Sequence, residues 1–337
     1  MIDKLRKLCG INGGSGDEGR VREFIMKNIR ADEILTDNLG NLIVFKRGKL
    51  RPDKKIMFAA HMDEVSFMVT DITEEGMLRF GAVGGVDPRV VLGRGLVLES
   101  GAKGVVGTKA LHQQTAEERK TAPDFGGLYI DIGGRTREEA QRLAERGSYA
   151  YFDSEFFAFG DGFVKAKALD DRAGCMIMMD MINSELEYDA WFVFTVQEEV
   201  GTRGAKAAAF SVRPDIAFVL ETTTACDIAG VSGSKRVCEL GKGCVVSYMD
   251  RGTVYDRGLY HLAFEQAQQH GIPVQTKTLV AGGNDSGAIH VSAGGVRTCA
   301  LSVPTRYLHS PSCTAKLSDI EAVAKLARLM LCACAKA

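Results

Sequence analysis

Two adjacent glutamates, Glu198 and Glu199, follow an apolar run from Ala190 to Val196. Ionised carboxylates beside an apolar core are costly unless they are paired, hydrogen-bonded or bound to a cation. Neighbouring side chains on an extended backbone point to opposite sides. One glutamate can therefore hold a metal while the other moves a proton. The same event recurs along the chain. The run Lys55–Ala60 ends in His61 and Asp63, Ala166–Leu169 ends in Asp170, and Asp215–Leu220 ends in Glu221. His309 follows the last apolar strand pattern, beyond Pro304. Two imidazoles and several carboxylates suit a pair of divalent ions of the zinc or cobalt kind. Two ions about 3.5–4 Å apart share a carboxylate and clamp a hydrolytic water.

Each residue taken alone has a plainer reading. Asp170 can cap the helix that follows it, His61 can be a hydrogen-bonded core histidine, and Asp63 can be a turn residue. Glu221 can be a solvated loop acid and His309 a surface residue. Asp285, between glycines and Ser286, reads as a turn former. What favours the chemical reading is repetition at the ends of core segments. No H-E-x-x-H, G-x-x-x-x-G-K-[ST] or G-x-S-x-G pattern offers a competing centre.

The elements that must position these residues read as α/β. Residues 2–30 keep a helical apolar face, interrupted by Gly14-Ser15-Gly16-Asp17-Glu18-Gly19. That formal G-x-G-x-x-G has no strand before it, and its two acids would repel a pyrophosphate. Ser15 is expected to cap the second helix, with Glu18 completing a capping box. A hairpin is expected over 33–47. From 66 to 160 short glycine-rich strands and one helix (136–146) read as a small β-rich domain inserted into the α/β chain. The catalytic part is thus expected at 1–65 and 161–337. In an open α/β sheet, ligand sites sit at the carboxyl ends of the strands, where the candidate acids and imidazoles fall.

Composition narrows the partners. The 337 residues carry 42 basic and 43 acidic side chains, with a pI near 6.6. That balance points to neither a nucleic acid nor an anionic membrane partner. No apolar run is long enough to span a bilayer, and Met1–Arg6 lacks the apolar region of a secretion signal. Nine scattered cysteines without a C-x-x-C pair read as reduced thiols of a cytoplasmic protein.

The motifs A-A-H-M-D-E-V (59–65), A-L-D-D-R-A-G (168–174), V-Q-E-E-V-G-T-R-G-A (196–205), V-L-E-T (219–222) and P-T-R-Y-L-H-S-P (304–311) occur in that order. In content and order the chain resembles the M42 family of dinuclear metallo-aminopeptidases. The resemblance implies a mixed-sheet, zinc-exopeptidase-like catalytic domain with an inserted PDZ-like β domain. It also implies a homo-oligomer, built from dimers into a tetrahedral dodecamer. Carried over residue by residue, it makes His61 and Glu221 ligands of one metal and Glu199 and His309 ligands of the other. Asp170 resembles the bridging carboxylate, Asp63 the acid that orients His61, and Glu198 the general base. Many members carry Asp where this chain has Glu221, one methylene longer, which bears on metal identity and affinity.

The expected activity is hydrolysis of the N-terminal peptide bond of short peptides with a free amine. Two divalent ions would be needed, zinc first, with cobalt or manganese as alternatives. Competing readings are a deacylase or amidase on the same scaffold, and a cellulase-type glycoside hydrolase using a carboxylate pair without metal.

Overall fold

The computed structural model describes residues 1–335. Its larger part is an eleven-stranded mixed sheet. Four neighbouring strands, Ala190–Thr195, Ile56–His61, Ile216–Thr224 and Arg297–Arg306, run parallel at its centre. Both faces of parallel strands are covered, so they read as near-continuous apolar runs; all six residues of Ile56–His61 are buried. One face carries stacked Phe58, Phe192 and Phe218, with ring centroids 5.5 and 5.3 Å apart. Helices Ile2–Gly10, Leu169–Ile182 and Leu317–Ala335 pack there. On the other face Met57, Ala59, Val193, Ala217 and Val219 meet Ala205, Ala208 and Ala209 of helix Arg203–Val212.

Register then does the positioning. Thr195 lies opposite His61, and Val219 opposite Ala59, which puts Glu221 level with His61. Hence the carboxyl ends of the parallel strands deliver their polar residues to one edge. Antiparallel strands extend the sheet on both sides, including the expected hairpin, Glu33–Thr36 with Leu42–Lys46.

After Val65 the chain enters a closed six-stranded barrel. Its strands are Ser66–Ile72, Leu78–Val83, Gly95–Leu98, Lys103–Thr108, Leu128–Asp131 and Tyr149–Phe152. The barrel has its own core, with the Phe67 ring edge-on to Phe80 at 5.4 Å and to Phe152 at 5.1 Å. The helix expected at 136–146 is a single turn, Arg137–Gln141, capped by Thr136. Strand Phe157–Phe159, which a division at 160 would give to the insert, is hydrogen-bonded into the large sheet beside Phe163–Ala166.

One local expectation is corrected. Ser15 and Glu18 do not form a capping box on helix Gly19–Lys27; its N-cap makes no side-chain bond. Ser15 Oγ instead donates to Asp63 Oδ2 at 2.6 Å, and Glu18 Oε1 accepts from the amides of Gly16 and Gln197. Both side chains face the strand-end edge, where buried acceptors and amides compete for them.

Candidate metal centre

His61 closes its strand and is fully buried. Its Nδ1 lies 3.0 Å from the main-chain oxygen of Asp63. A carbonyl can only accept, so Nδ1 carries the proton and Nε2 is left to face the cluster. Nε2 lies 3.3 Å from Asp170 Oδ1 and 3.5 Å from Glu221 Oε1. His309 repeats the arrangement. Its Nδ1 sits 2.7 Å from the carbonyl oxygen of Gly85 in the inserted domain. Its Nε2 lies 3.4 Å from Asp170 Oδ2 and 3.3 Å from Glu199 Oε2. Asp170 therefore spans the two imidazoles, one oxygen to each.

The Nε2–carboxylate separations, unlike the Nδ1–carbonyl ones, are longer than a good hydrogen bond. They match the spacing of two ligands on one tetrahedral ion, roughly 3.4 Å when each bond is about 2.1 Å. Among the described residues two trios have ligand atoms within 4.8 Å of one another: His61–Asp170–Glu199 and His61–Asp171–Glu221. Asp171 is an addition; sequence reasoning gave it no part. It also takes the plainer role offered for Asp170, since its Oδ1 accepts from Gly174 N at 2.9 Å. Asp170 has non-helical backbone angles ahead of that helix, which frees its carboxylate.

Asp63 Oδ1 lies 3.5 Å from His61 Nδ1, beyond its own carbonyl. The carboxylate is engaged elsewhere. Oδ1 accepts from Glu198 N and Oδ2 from Glu199 N, each at 3.1 Å, besides Ser15 Oγ. Asp63 thus clamps the turn that carries both glutamates. That turn needs the help: Gln197 and Thr202 have φ of 55° and 52°, a region most side chains avoid. Glu198 N–H is held from one side while its carbonyl accepts from Gly201 and Thr202.

Charge is the other property of the site. Asp170, Asp171, Glu198, Glu199 and Glu221 crowd around two imidazoles. Burial pushes Glu199 up to about 7 and Glu221 up to about 8, and raises Glu198 and Asp171 well above the usual carboxylate range. Burial works against a charged His309, but Asp170 and Glu199 outweigh it and raise the imidazole to about 9. The cluster demands positive charge, as protons or as metal ions. Buried oxygens Glu199 Oε1 and Asp171 Oδ2 also lack any hydrogen-bond partner, an unmet need a cation would satisfy. The donor set therefore fits two divalent ions.

The sequence matches the family model described as M42 glutamyl aminopeptidase over residues 40–326. The chain belongs to the M42 aminopeptidase family. It is a metal-dependent aminopeptidase with a His/Asp/Glu cluster able to coordinate two metal ions. It is 42% identical over 336 residues to an Acetivibrio thermocellus protein described as a candidate aminopeptidase, covering 98% of each chain. Aminopeptidase APDkam598 of the archaeon Desulfurococcus kamchatkensis has a similar structure, with TM-score 0.92, 30% identity, and 97% and 93% of the two chains covered. The Pyrococcus horikoshii TET1 peptidase, described as assembling into a tetrahedron or a large octahedral shell, gives TM-score 0.85, 37% identity and 98% coverage of both.

The M42 site opens into a cleft of about 710 Å³ that includes His61, Asp170, Glu198, Glu199, Glu221 and His309. All six, predicted from scattered positions, converge there. Asp63 lies behind them, fully buried. Asp285, read as a turn former, is also buried, and its Oδ2 accepts from Thr195 Oγ1 at 2.5 Å.

Proposed function

We propose that the chain removes single residues from the free N-terminus of short peptides, with Glu198 as the general base. The observation that carries the reading is the placement of Asp170 between two imidazoles whose Nδ1–H groups are both committed to carbonyls. His61 and Glu221 would hold one ion, Glu199 and His309 the other, and Asp170 both; Asp171 is within reach of the first. Two bound divalent cations would lower the pKa of a water and polarise the scissile carbonyl.

The remaining work belongs to the chain. Glu198 lies on the cleft and is not needed in either trio of ligands. Burial raises its proton affinity, which suits a group that takes a proton from water and returns it to the leaving amine. Asp63 fixes where that carboxylate stands by holding the amides of Glu198 and Glu199. The acidic end of the cleft would receive the substrate's ammonium group, which supports attack at the first peptide bond.

Zinc is the ion this nitrogen–oxygen set favours, with cobalt and manganese as alternatives. Assembly into a tetrahedral dodecamer is supported by the similarity to TET1 peptidase structures, one described as a dodecamer and one as a tetrahedron or a large octahedral shell. A cytoplasmic setting is supported by the nine scattered cysteines, none of them in a C-x-x-C pair. The deciding experiment is a panel of aminoacyl p-nitroanilides and their N-acetyl counterparts. It is run on metal-stripped enzyme and after zinc, cobalt or manganese is restored. Release from free-amine substrates only, and only with metal, is expected; cleavage of the N-acetyl series alone would make the chain a deacylase.

A further inference from the structure

The segment Gly14-Ser15-Gly16-Asp17-Glu18-Gly19 supplies no candidate metal ligand among the described residues. Two of its side chains nonetheless reach the turn that carries Glu198 and Glu199. Glu18 is 3% exposed and Ser15 5%. Glu18 Oε1 accepts from Gln197 N at 3.0 Å and from Gly16 N at 2.8 Å. Asp63 takes the next two amides, those of Glu198 and Glu199, and Ser15 Oγ ties Asp63 to the segment. Three successive N–H groups are thus gathered by two buried carboxylates. Successive amides beside a positive φ form a cradle for negative oxygen, and Gln197 supplies that φ, 55°. Gln197 is the residue just before Glu198, so removing the partner of its amide frees the backbone on that side of the base.

The inserted barrel pins the same segment from the other side. In strand Tyr149–Phe152, Ala150 and Phe152 belong to the barrel core. By alternation Tyr149 and Tyr151 project from the opposite face, and their rings stack 6.0 Å apart. Tyr149 Oη donates to the Ser15 carbonyl at 2.8 Å. Tyr151 Oη donates to Asp17 Oδ2, which also accepts from Arg20. The contact is close. A Cβ on Gly14 would fall 2.2 Å from Ser66 Oγ at the start of the barrel, and one on Gly16 would fall 2.9 Å from Tyr149 Oη. The barrel can approach this closely because those two positions are glycine. Hydrogen bonds therefore run from Tyr149 and Tyr151 through residues 15–18 to the amides of residues 197–199.

We propose that Glu18 is a positioning residue for Glu198, and that the inserted barrel sets this position through Tyr149 and Tyr151. The proposal rests on the reading of Glu198 as the general base. Glu18 touches no reacting atom; it acts by fixing the main chain from which the base projects. A base displaced by a fraction of a bond length loses rate without losing substrate affinity.

The test uses metal-loaded enzyme and the most reactive aminoacyl p-nitroanilide, with metal content and deuterium uptake over residues 190–205 measured alongside. Glu18→Met removes the acceptor at similar length. It should lower kcat about 10- to 100-fold with KM little changed and both ions retained. Glu18→Gln keeps an acceptor oxygen and should recover most of the rate. Tyr149→Phe combined with Tyr151→Phe should lower kcat in the same direction, by less. Deuterium uptake should rise in Glu18→Met and in the tyrosine variant, and stay low in Glu18→Gln. In a Glu198→Gln background Glu18→Met should cost no further activity, because it acts through the base. A lower denaturation midpoint with unchanged kcat overturns the proposal, as does metal loss in step with rate loss, or full additivity with Glu198→Gln. Tyrosine variants with wild-type rate and uptake overturn the barrel's part. If Glu18→Met fails to fold, the tyrosine variant carries the same measurements. Near-wild-type turnover by Glu198→Gln alone ends the general-base reading and the proposal with it. A nearly inactive Glu198→Gln beside an unimpaired Glu18→Met ends the proposal only.

Discussion

His309 Nδ1 lies 2.7 Å from the main-chain oxygen of Gly85, so a residue of the inserted domain fixes the tautomer of an imidazole at the catalytic edge. A carbonyl acceptor behind a metal-binding histidine orients the ring and strengthens it as a ligand. Gly84, next to it, has φ of +98°, and a Cβ there would fall 3.0 Å from Val65 Cγ1 and 3.3 Å from Glu199 Cβ. Gly84→Val should therefore strain the loop by about 1–3 kcal/mol and displace Gly85, Glu199 or both. The expected result is weaker retention of one of the two ions on dialysis, read by elemental analysis, while the barrel core is preserved.

Glu198→Gln should keep the metal content of the wild type and lose about 10²–10⁴-fold in kcat. The amide preserves size and leaves the Asp63 clamp intact, because that clamp holds main-chain N–H groups. Activity near wild type would reassign the base.

Asp170 touches both imidazoles, whereas Glu199 touches one. Asp170→Asn should cost affinity for both ions. His309→Ala should weaken mainly one. Metal stoichiometry measured against free zinc would separate the two patterns; equal loss in both variants contradicts the bridging role.

Lys167 and Glu64 form a buried pair, with Nζ 2.5 Å from Oε1, and Arg172 stands 3.8 Å from the same oxygen. Glu64→Ala strands two cations in the core. A loss on the order of 3–5 kcal/mol follows, seen as a lower denaturation midpoint. Lys167→Met should be milder, because Glu64 keeps Arg172 and the Gly13 amide.

Asp227 and Arg306 form a two-bond pair at 2.6 and 2.7 Å. Burial alone would raise the Asp227 carboxyl, but the guanidinium prevails and its pKa falls below the ordinary 3.8. A carboxylate with a depressed folded-state pKa stabilises the protein above its unfolded pKa. That contribution is lost as pH falls through the lower folded value. Asp227→Asn should thus cost stability at neutral pH, and the gap to wild type should close as the pH drops below about 4. Urea midpoints across that range check the sign.

Much of the site was legible because each candidate ended an apolar segment, and parallel strands bring such ends together. His61, Asp170, Glu199, Glu221 and His309 needed no more than that rule and a resemblance. The carbonyls of Asp63 and Gly85, which orient the imidazoles, carry no signature, since every residue has one. Asp171 was hidden because one of two adjacent aspartates had to cap the helix, and side-chain type does not say which. The capping expectation for Ser15 failed for a related reason. Local pattern proposed the amide three residues on, but a buried Asp63 oxygen, brought close only by the fold, took the hydroxyl. The barrel was visible in its short glycine-rich strands, yet Phe157–Phe159 looks no different from them and belongs to the large sheet.

The cluster draws its members from the carboxyl ends or halves of three parallel strands, the start of helix Leu169–Ile182 and the loop behind Arg306, spread from position 61 to 309. Loaded with cations, it would act as a clasp across those ends, so separating the strands would mean giving up the ions. Chelation should therefore lower the melting temperature as well as silence the enzyme, and added zinc should restore both together.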